Sequence, residues 1–157
     1  MVHALNEIHR TLVSGGILID LRPFVDLSPV EVVSSSPPRL AGRVNQLPAD
    51  RANDEAANTA IARAGEQNWF IREREAFFPF FYYWDTPEEM QAYVEAEWTD
   101  FVTVDGEVWR NVHSMWAEAG ADRLLRVQLK MMIARWRAVK SEGGNYRRHG
   151  GHFLIYG

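Results

Sequence analysis

The stretch ALNEIHRTLVSGGILIDLRP, residues 4–23, decides the fold of this chain. Up to Leu12 its apolar residues recur every three or four positions, which predicts a helix with one apolar face. Gly15 and Gly16 follow, and they predict a left-handed helix stop and a tight turn. The next five residues, Ile17–Leu21, are almost wholly apolar, which is typical of a parallel strand buried on both faces. The chain therefore opens as helix, turn and buried strand.

Composition limits what the protein can be. The 157 residues suffice for one domain, 1–157, and their 46% hydrophobic and 24% charged content is that of a globular protein. The absence of cysteine excludes a thiolate metal site and fits a reducing compartment, so we expect a cytoplasmic protein. A net charge of −4 argues against nucleic acid as a partner, and no apolar run is long enough to cross a membrane.

The remaining elements follow from periodicity and from turn residues. Thr86 and Glu89 form a capping box around Pro87, which marks the sharpest helix start in the chain. The other patterns predict, in order, a hairpin over 30–47, a helix over 50–64, a strand over 69–84, helices over 87–101, 104–117 and 121–140, and a closing strand over 146–156.

Residues 4–23 also resemble a segment of class I SAM-dependent methyltransferases, from the helix before strand five through strand five itself. Arg10, Leu12, Gly15, Gly16 and Ile17–Ile19 match the family pattern of Arg-x-Leu, paired glycines and an apolar strand. The resemblance implies an α/β fold class, namely a partial Rossmann-like methyltransferase sheet with an edge β-hairpin and several added helices. Under this resemblance the two edge strands, six and seven, would be 69–84 and 146–156.

The cofactor site of that family has no counterpart in this sequence. Family members hold SAM with an acidic-x-Gly-x-Gly loop, because glycine lets the backbone approach the ligand. The chain has three Gly-Gly pairs and no Gly-x-Gly. S-adenosylmethionine is therefore implied by the resemblance and not by a motif. We interpret the chain as the C-terminal part of a methyltransferase, inactive without an N-terminal half. The alternatives are a non-catalytic interaction or regulatory module and a small-ligand-binding α+β domain.

The candidate substrate-binding residues come from an aromatic run over 77–84. Its alternation places rings on both faces of a strand, so one set packs in a core and the other can line a pocket. We expect Tyr82, Tyr83 and Trp84 to lie near Arg22, at the carboxyl end of strand five, where open α/β sheets bind ligands. Neither a catalytic base nor a metal-ligand set stands out.

Two predictions concern charge and edges. Glu73 and Glu75 alternate with two arginines, which favours an ion-paired edge strand over an acid/base pair, and Pro79 also favours an edge. The strand over 17–21 would lack a neighbour on one side. An unpaired edge invites another strand. We therefore expect it to form a homodimer, to bind an N-terminal-half partner, or to be capped by the hairpin over 30–47.

Overall fold

The computed structural model describes residues 2–24 and 27–140. These residues form a mixed α/β structure with six strands and four α-helices, one of which continues into a π-helical turn. In chain order the elements are α1 (Val2–Thr11), β1 (Ile17–Phe24), β2 (Ser28–Val33), β3 (Arg39–Gln46), α2 (Pro48–Glu66), β4 (Phe70–Trp84), α3 (Pro87–Tyr93), the π-turn (Val94–Trp98), β5 (Val102–Thr103), α4 (Gly106–Glu118) and β6 (Leu124–Ala138).

The long strand β6 organises the sheet. It pairs along one edge with β4, and along the other with β1 at its C-terminal half and β2 at its N-terminal half. The β2 strand pairs in turn with β3, and β3 with β5, and every one of these pairs is antiparallel. Since β1 and β4 are both antiparallel to β6, they run in the same direction on either side of it.

Two apolar cores lie on opposite faces of this sheet. On the upper face, Leu125, Val127 and Leu129 of β6 pack beneath α3 and α4. On the lower face, Met132 and Trp136 of β6 pack against α1 and α2. Cross-strand partners share a face and successive residues alternate, so each helical layer covers only one half of the sheet. None of the helices in the described part of the chain covers the upper face around the C-terminal half of β6.

Most of the local predictions are confirmed. Helix α1, the Gly15 turn and β1 follow the opening stretch, and Gly15 has the positive φ of 77° that favours glycine. The hairpin over 30–47 is β2 and β3, the helix over 50–64 is α2, and the strand over 69–84 is the edge strand β4. Thr86 caps α3 by accepting a hydrogen bond of 3.1 Å from the backbone of Glu89.

The predicted helix over 121–140 is wrong, because most of this segment is the strand β6. The sheet also lacks the parallel pairing expected of β1, which pairs only in antiparallel fashion among the described residues. Nor is β1 buried on both faces, since Ile19 is 52% and Leu21 54% exposed. The predicted closing strand over 146–156 lies outside the described residues. Its expected place beside β1 is taken by β6.

The alternating charges of β4 form ion pairs, as predicted. A register shift lies between Arg72 and Arg74, where the pairing with β6 is irregular. Glu73 contacts Arg137 and lies 2.9 Å from Nε of Arg135. The hydrogen bond from Arg137, together with the neighbouring arginine charges, lowers the pKa of Glu73 despite its partial desolvation.

Within residues 2–24 and 27–140, none of the helices combines the length and the apolar character that crossing a bilayer would require.

Candidate ligand-binding cavity

A cavity of about 350 Å³ opens on the upper face of the sheet. Its floor is formed by side chains from three neighbouring strands: Pro23 of β1, Leu129 of β6 and Tyr82 of β4. Pro23 lies next to the carboxyl end of β1. The walls come from α2 on one side and from the segment that joins α3 to β5 on the other. A volume of this size lies at the lower end of the range for small-molecule sites.

Three aromatic rings form one corner of the cavity. The centroid of Tyr82 lies 5.0 Å from that of Trp98 and 5.9 Å from that of Tyr93, and the Tyr93–Trp98 distance is 5.6 Å. The plane of Trp98 stands at 90° to Tyr82 and at 79° to Tyr93. Rings at such steep angles form adjoining walls, not a flat stack. Phe101, which is 48% exposed, adds a fourth ring at the rim.

Two carboxylates face these rings from the first turns of α2. The side-chain Nε2 of Gln46 donates to Oδ2 of Asp50 and to Oδ2 of Asp54, at 2.7 Å in each case. Gln46 is nearly buried, so this shared donor holds the two acidic groups close together at the edge of the sheet. Each carboxylate keeps one oxygen outside this contact. A third carboxylate, that of Glu97, lines the opposite wall.

The pairing of β3 with β5 brings these walls together. Gln46 is paired with Val102, and the amide of Leu47 donates to the carbonyl of Phe101 at 2.8 Å. Because Leu47 directly precedes α2, the start of that helix is held against the segment that carries Phe101. Residues about fifty positions apart in the sequence thereby become neighbours around one cavity.

The π-turn shapes the wall that carries Glu97 and Trp98. Thr99 follows this turn, and its hydroxyl donates to the carbonyl of Glu95 at 2.8 Å and to that of Val94 at 3.4 Å. A hydroxyl that bonds to the preceding turn competes with the regular backbone pattern of a helix. Such π-helical insertions are rare and occur frequently at functional sites.

The hydroxyl of Tyr93 remains protonated at neutral pH. Burial raises the pKa of Tyr93, and Tyr82 and Glu97 raise it further. The ring therefore enters the cavity as a neutral phenol.

The structure separates the four residues predicted to bind substrate. Tyr82 lines the cavity, and Trp84 lies directly behind it in the core, with ring centroids 5.9 Å apart. Tyr83 points to the lower face, is 50% exposed, and lies opposite Arg126 of β6. Arg22 also lies on the lower face, although its neighbour Pro23 reaches the cavity. Alternation along each strand is the physical reason for this division.

Arg22 belongs to a second, larger hollow of about 580 Å³ on the lower face. Its Nη2 donates to Asp20 and its Nη1 to Asn58, at 2.9 Å each. Arg72 in the same hollow is paired with Glu75 at 2.8 Å. The charges of this hollow are thus already matched within the chain. The upper cavity differs in that no Lys, Arg or His is among the described residues that line it.

Of the residues that line this cavity, the sequence analysis named Tyr82 and not the residues opposite it. In the sequence, Asp50 and Asp54 belong to the polar face of one predicted helix, and Glu97 belongs to the polar face of the next one. The chain offered one local signal, the spacing of four between the two aspartates, which places them on the same side of α2. Among the described residues no group of three or more His, Cys, Asp or Glu is placed so that it could hold a metal ion.

Comparison of the chain with models of protein families, with curated proteins and with solved structures gave no match. The resemblance of residues 4–23 therefore stays an inference from those residues.

Proposed function

We propose that this chain is the acceptor-binding, C-terminal part of a protein with a class I SAM-dependent methyltransferase fold, and that methyl transfer requires a separate N-terminal half. One observation carries the proposal. The unit that resembles strand five, residues 4–23, folds as helix, turn and strand, and beside it lies the antiparallel pair β6 and β4 at the edge of the sheet. The resemblance implies such an edge pair after strand five, with β6 in place of 146–156.

We assign no site for SAM to the described residues. A cofactor cradle needs a glycine at which the backbone can approach the ligand. At Gly42 the place of a Cβ is filled by the side chain of Val108, and at Gly16 by Leu12 and the backbone of Val13. These glycines serve packing and turning. We therefore derive no step through the cofactor and assign to this chain only the binding and orientation of the acceptor.

The upper cavity is the acceptor site that this proposal needs. It lies next to Pro23, near the carboxyl end of β1, which is the end of strand five at which the resemblance implies a ligand. Tyr82 from the aromatic strand contributes to its floor.

We place the proposed N-terminal half at the edge of β1 that faces away from β6. In the described structure, β1 pairs with a strand on its β6 side alone, and a groove of about 240 Å³ follows its other side. Ile19 and Leu21 beside this edge are more than half exposed, and Ile133 and Phe78 extend the apolar surface on the upper face. We propose that the partner at this edge is the cofactor-binding half, because the resemblance places strand four there.

Hydrogen exchange and sedimentation test the edge. Adding the cofactor-binding half should slow exchange of those amide protons of β1 that point away from β6, because they gain strand partners. The chain alone should sediment as a monomer. A stable dimer in which these protons are already protected would show that a second copy occupies the edge and would contradict this part of the proposal.

Titration with SAM tests the function as a whole. The chain alone should show no sub-millimolar binding of SAM by calorimetry. The DNA around its coding sequence should encode an acidic-x-Gly-x-Gly segment, in frame or as a neighbouring gene, and the product of both together should bind SAM. Sub-millimolar binding to the chain alone, or no binding to the joint product, would contradict the proposal.

A second candidate is a small-ligand-binding α+β domain that acts without SAM. The observation in its favour is that described residues of one chain are enough to form the floor and two opposite walls of the upper cavity. Ligand binding without any SAM-dependent methyl transfer by the joint product would favour this candidate. A non-catalytic interaction module would show neither activity.

A further inference from the structure

The upper cavity combines aromatic faces with negative charge. The rings of Tyr82, Tyr93 and Trp98 form one corner of it, with Trp98 at 90° to Tyr82 and at 79° to Tyr93 and the two tyrosines at 42° to each other, and the faces of aromatic rings carry a negative electrostatic potential. The carboxylates of Asp50, Asp54 and Glu97 line the same space. The charged side chains among its described lining residues are thus all acidic, an arrangement that favours cations.

Other ligand classes fit this lining less well. An anion would meet the three carboxylates without a compensating charge. A neutral apolar ligand would displace water from Asp50 and Asp54 without replacing their hydrogen bonds, and leaving such groups unpaired is costly. A bare metal ion would find no ligand atoms on the faces of the rings. A cation with apolar substituents can contact both the carboxylates and the aromatic faces.

We propose that the cavity binds a small organic cation, an amine or quaternary ammonium compound whose charged nitrogen lies against Tyr82, Tyr93 and Trp98. The proposal rests on the proposed function only in taking this cavity as the ligand site, and it adds the chemical class of the ligand. Aromatic faces around a quaternary ammonium group are an established mode of recognition. The carboxylates of Asp50 and Asp54, each with one oxygen outside the contact with Gln46, supply the countercharge.

Choline and its neutral carbon isostere, 3,3-dimethylbutan-1-ol, provide the test. They have the same shape and differ in the charge at one atom. The intact chain is titrated with each, following tryptophan fluorescence and the melting temperature. We expect choline to bind saturably, on the order of millimolar, and at least tenfold more tightly than the alcohol. Equal affinity for the two compounds, or no saturable choline binding, would overturn the proposal.

Variants locate the binding. Glu97→Gln removes one charge from the cavity wall, and Glu95→Gln makes the same change two residues earlier, where the side chain accepts from Gln91 instead. We expect weaker choline binding, by about threefold or more, for the first variant and unchanged binding for the second. Trp98→Leu should weaken choline binding at least tenfold and leave the alcohol unaffected. Circular dichroism verifies that each variant is folded.

The outcomes separate this inference from the proposed function. If Glu97→Gln and Trp98→Leu are folded and bind choline as tightly as the unaltered chain does, the cation site is refuted, regardless of the result of the SAM titration. If choline binds with the expected selectivity but the joint product with the glycine-loop segment fails to bind SAM, the cation site stands and the methyltransferase proposal falls.

Discussion

Replacing Gly42 with alanine tests the packing of α4 on the sheet. A Cβ at this position would lie 2.5 Å from Cγ2 of Val108, and 3.1 Å and 3.2 Å from two further atoms of the same side chain. Ordinary contact begins at 3.4 Å, so the two groups must separate by about 0.9 Å. Val108 is buried in the upper core and cannot swing into solvent.

The expected cost follows from overpacking. Inserting a methyl group into a packed core costs about 1–3 kcal/mol. For a domain of this length each kcal/mol lowers the melting temperature by about 2–4 °C, so Gly42→Ala should melt about 2–12 °C lower. Thermal unfolding followed by circular dichroism measures the shift. Gly106→Ala is the matched control, because its nearest atom is the end of Arg110 at 3.8 Å. It should melt within about 2 °C of the original protein.

A double-mutant cycle completes the test. Val108→Ala alone should cost roughly 1–2 kcal/mol, since it removes two buried methyl groups. Combined with Gly42→Ala it should cost little more than the backbone strain of an alanine at a φ of 159°, because the shortened side chain makes room for the new methyl group. The coupling energy should therefore be favourable by about 1–2 kcal/mol. Strictly additive effects would show that Val108 does not lie over Gly42, and would refute the placement of α4.

Three further predictions follow from individual contacts. Thr86→Ala removes the cap of α3 and should destabilise the protein by about 1 kcal/mol in urea unfolding, whereas Thr86→Ser should retain most of that stability. Pairing lowers the pKa of Glu73, so the stability that Glu73 contributes is fully present above the pKa of an unfolded glutamate, about 4.3, and is lost as pH falls from there through the folded pKa. Glu73→Gln should therefore be less stable than the original protein at neutral pH, and the difference in stability should vanish in acid. Leu125→Ala should cost about 2–5 kcal/mol, since Leu125 is fully buried in β6, and a cost below 1 kcal/mol would contradict that burial.

The segment of β6 shows why periodicity alone misled. Spacings of three and four connect Leu125, Leu129, Met132 and Trp136, which favours a helix, yet apolar and polar residues also alternate from Leu125 to Lys130, which favours a strand. Both patterns are present in the same letters. The segment becomes a strand because β4, some 55 residues earlier in the chain, supplies a full ladder of backbone hydrogen bonds along β6.

The same distinction divides the candidate site. Tyr82 could be found from the sequence because the aromatic run needs cover on both faces of its strand. Asp50, Asp54 and Glu97 could not, since each lies on the polar side of a helix that looks ordinary by itself. Their convergence depends on the pairing of Gln46 with Val102, a contact between a long strand and one of two residues.

Residues close in the chain thus determined the opening helix, turn and strand, the hairpin, and the capped start of α3. These features depend on backbone angles, capping bonds and one apolar face, all of which are specified within a few neighbouring residues. Only the tertiary structure decided that β6 is a strand, that β1 has antiparallel pairing and an exposed face, and that carboxylates meet aromatic rings in one cavity. Those outcomes depend on hydrogen bonds and burial between distant segments, and a local sequence pattern does not indicate which segments will pair.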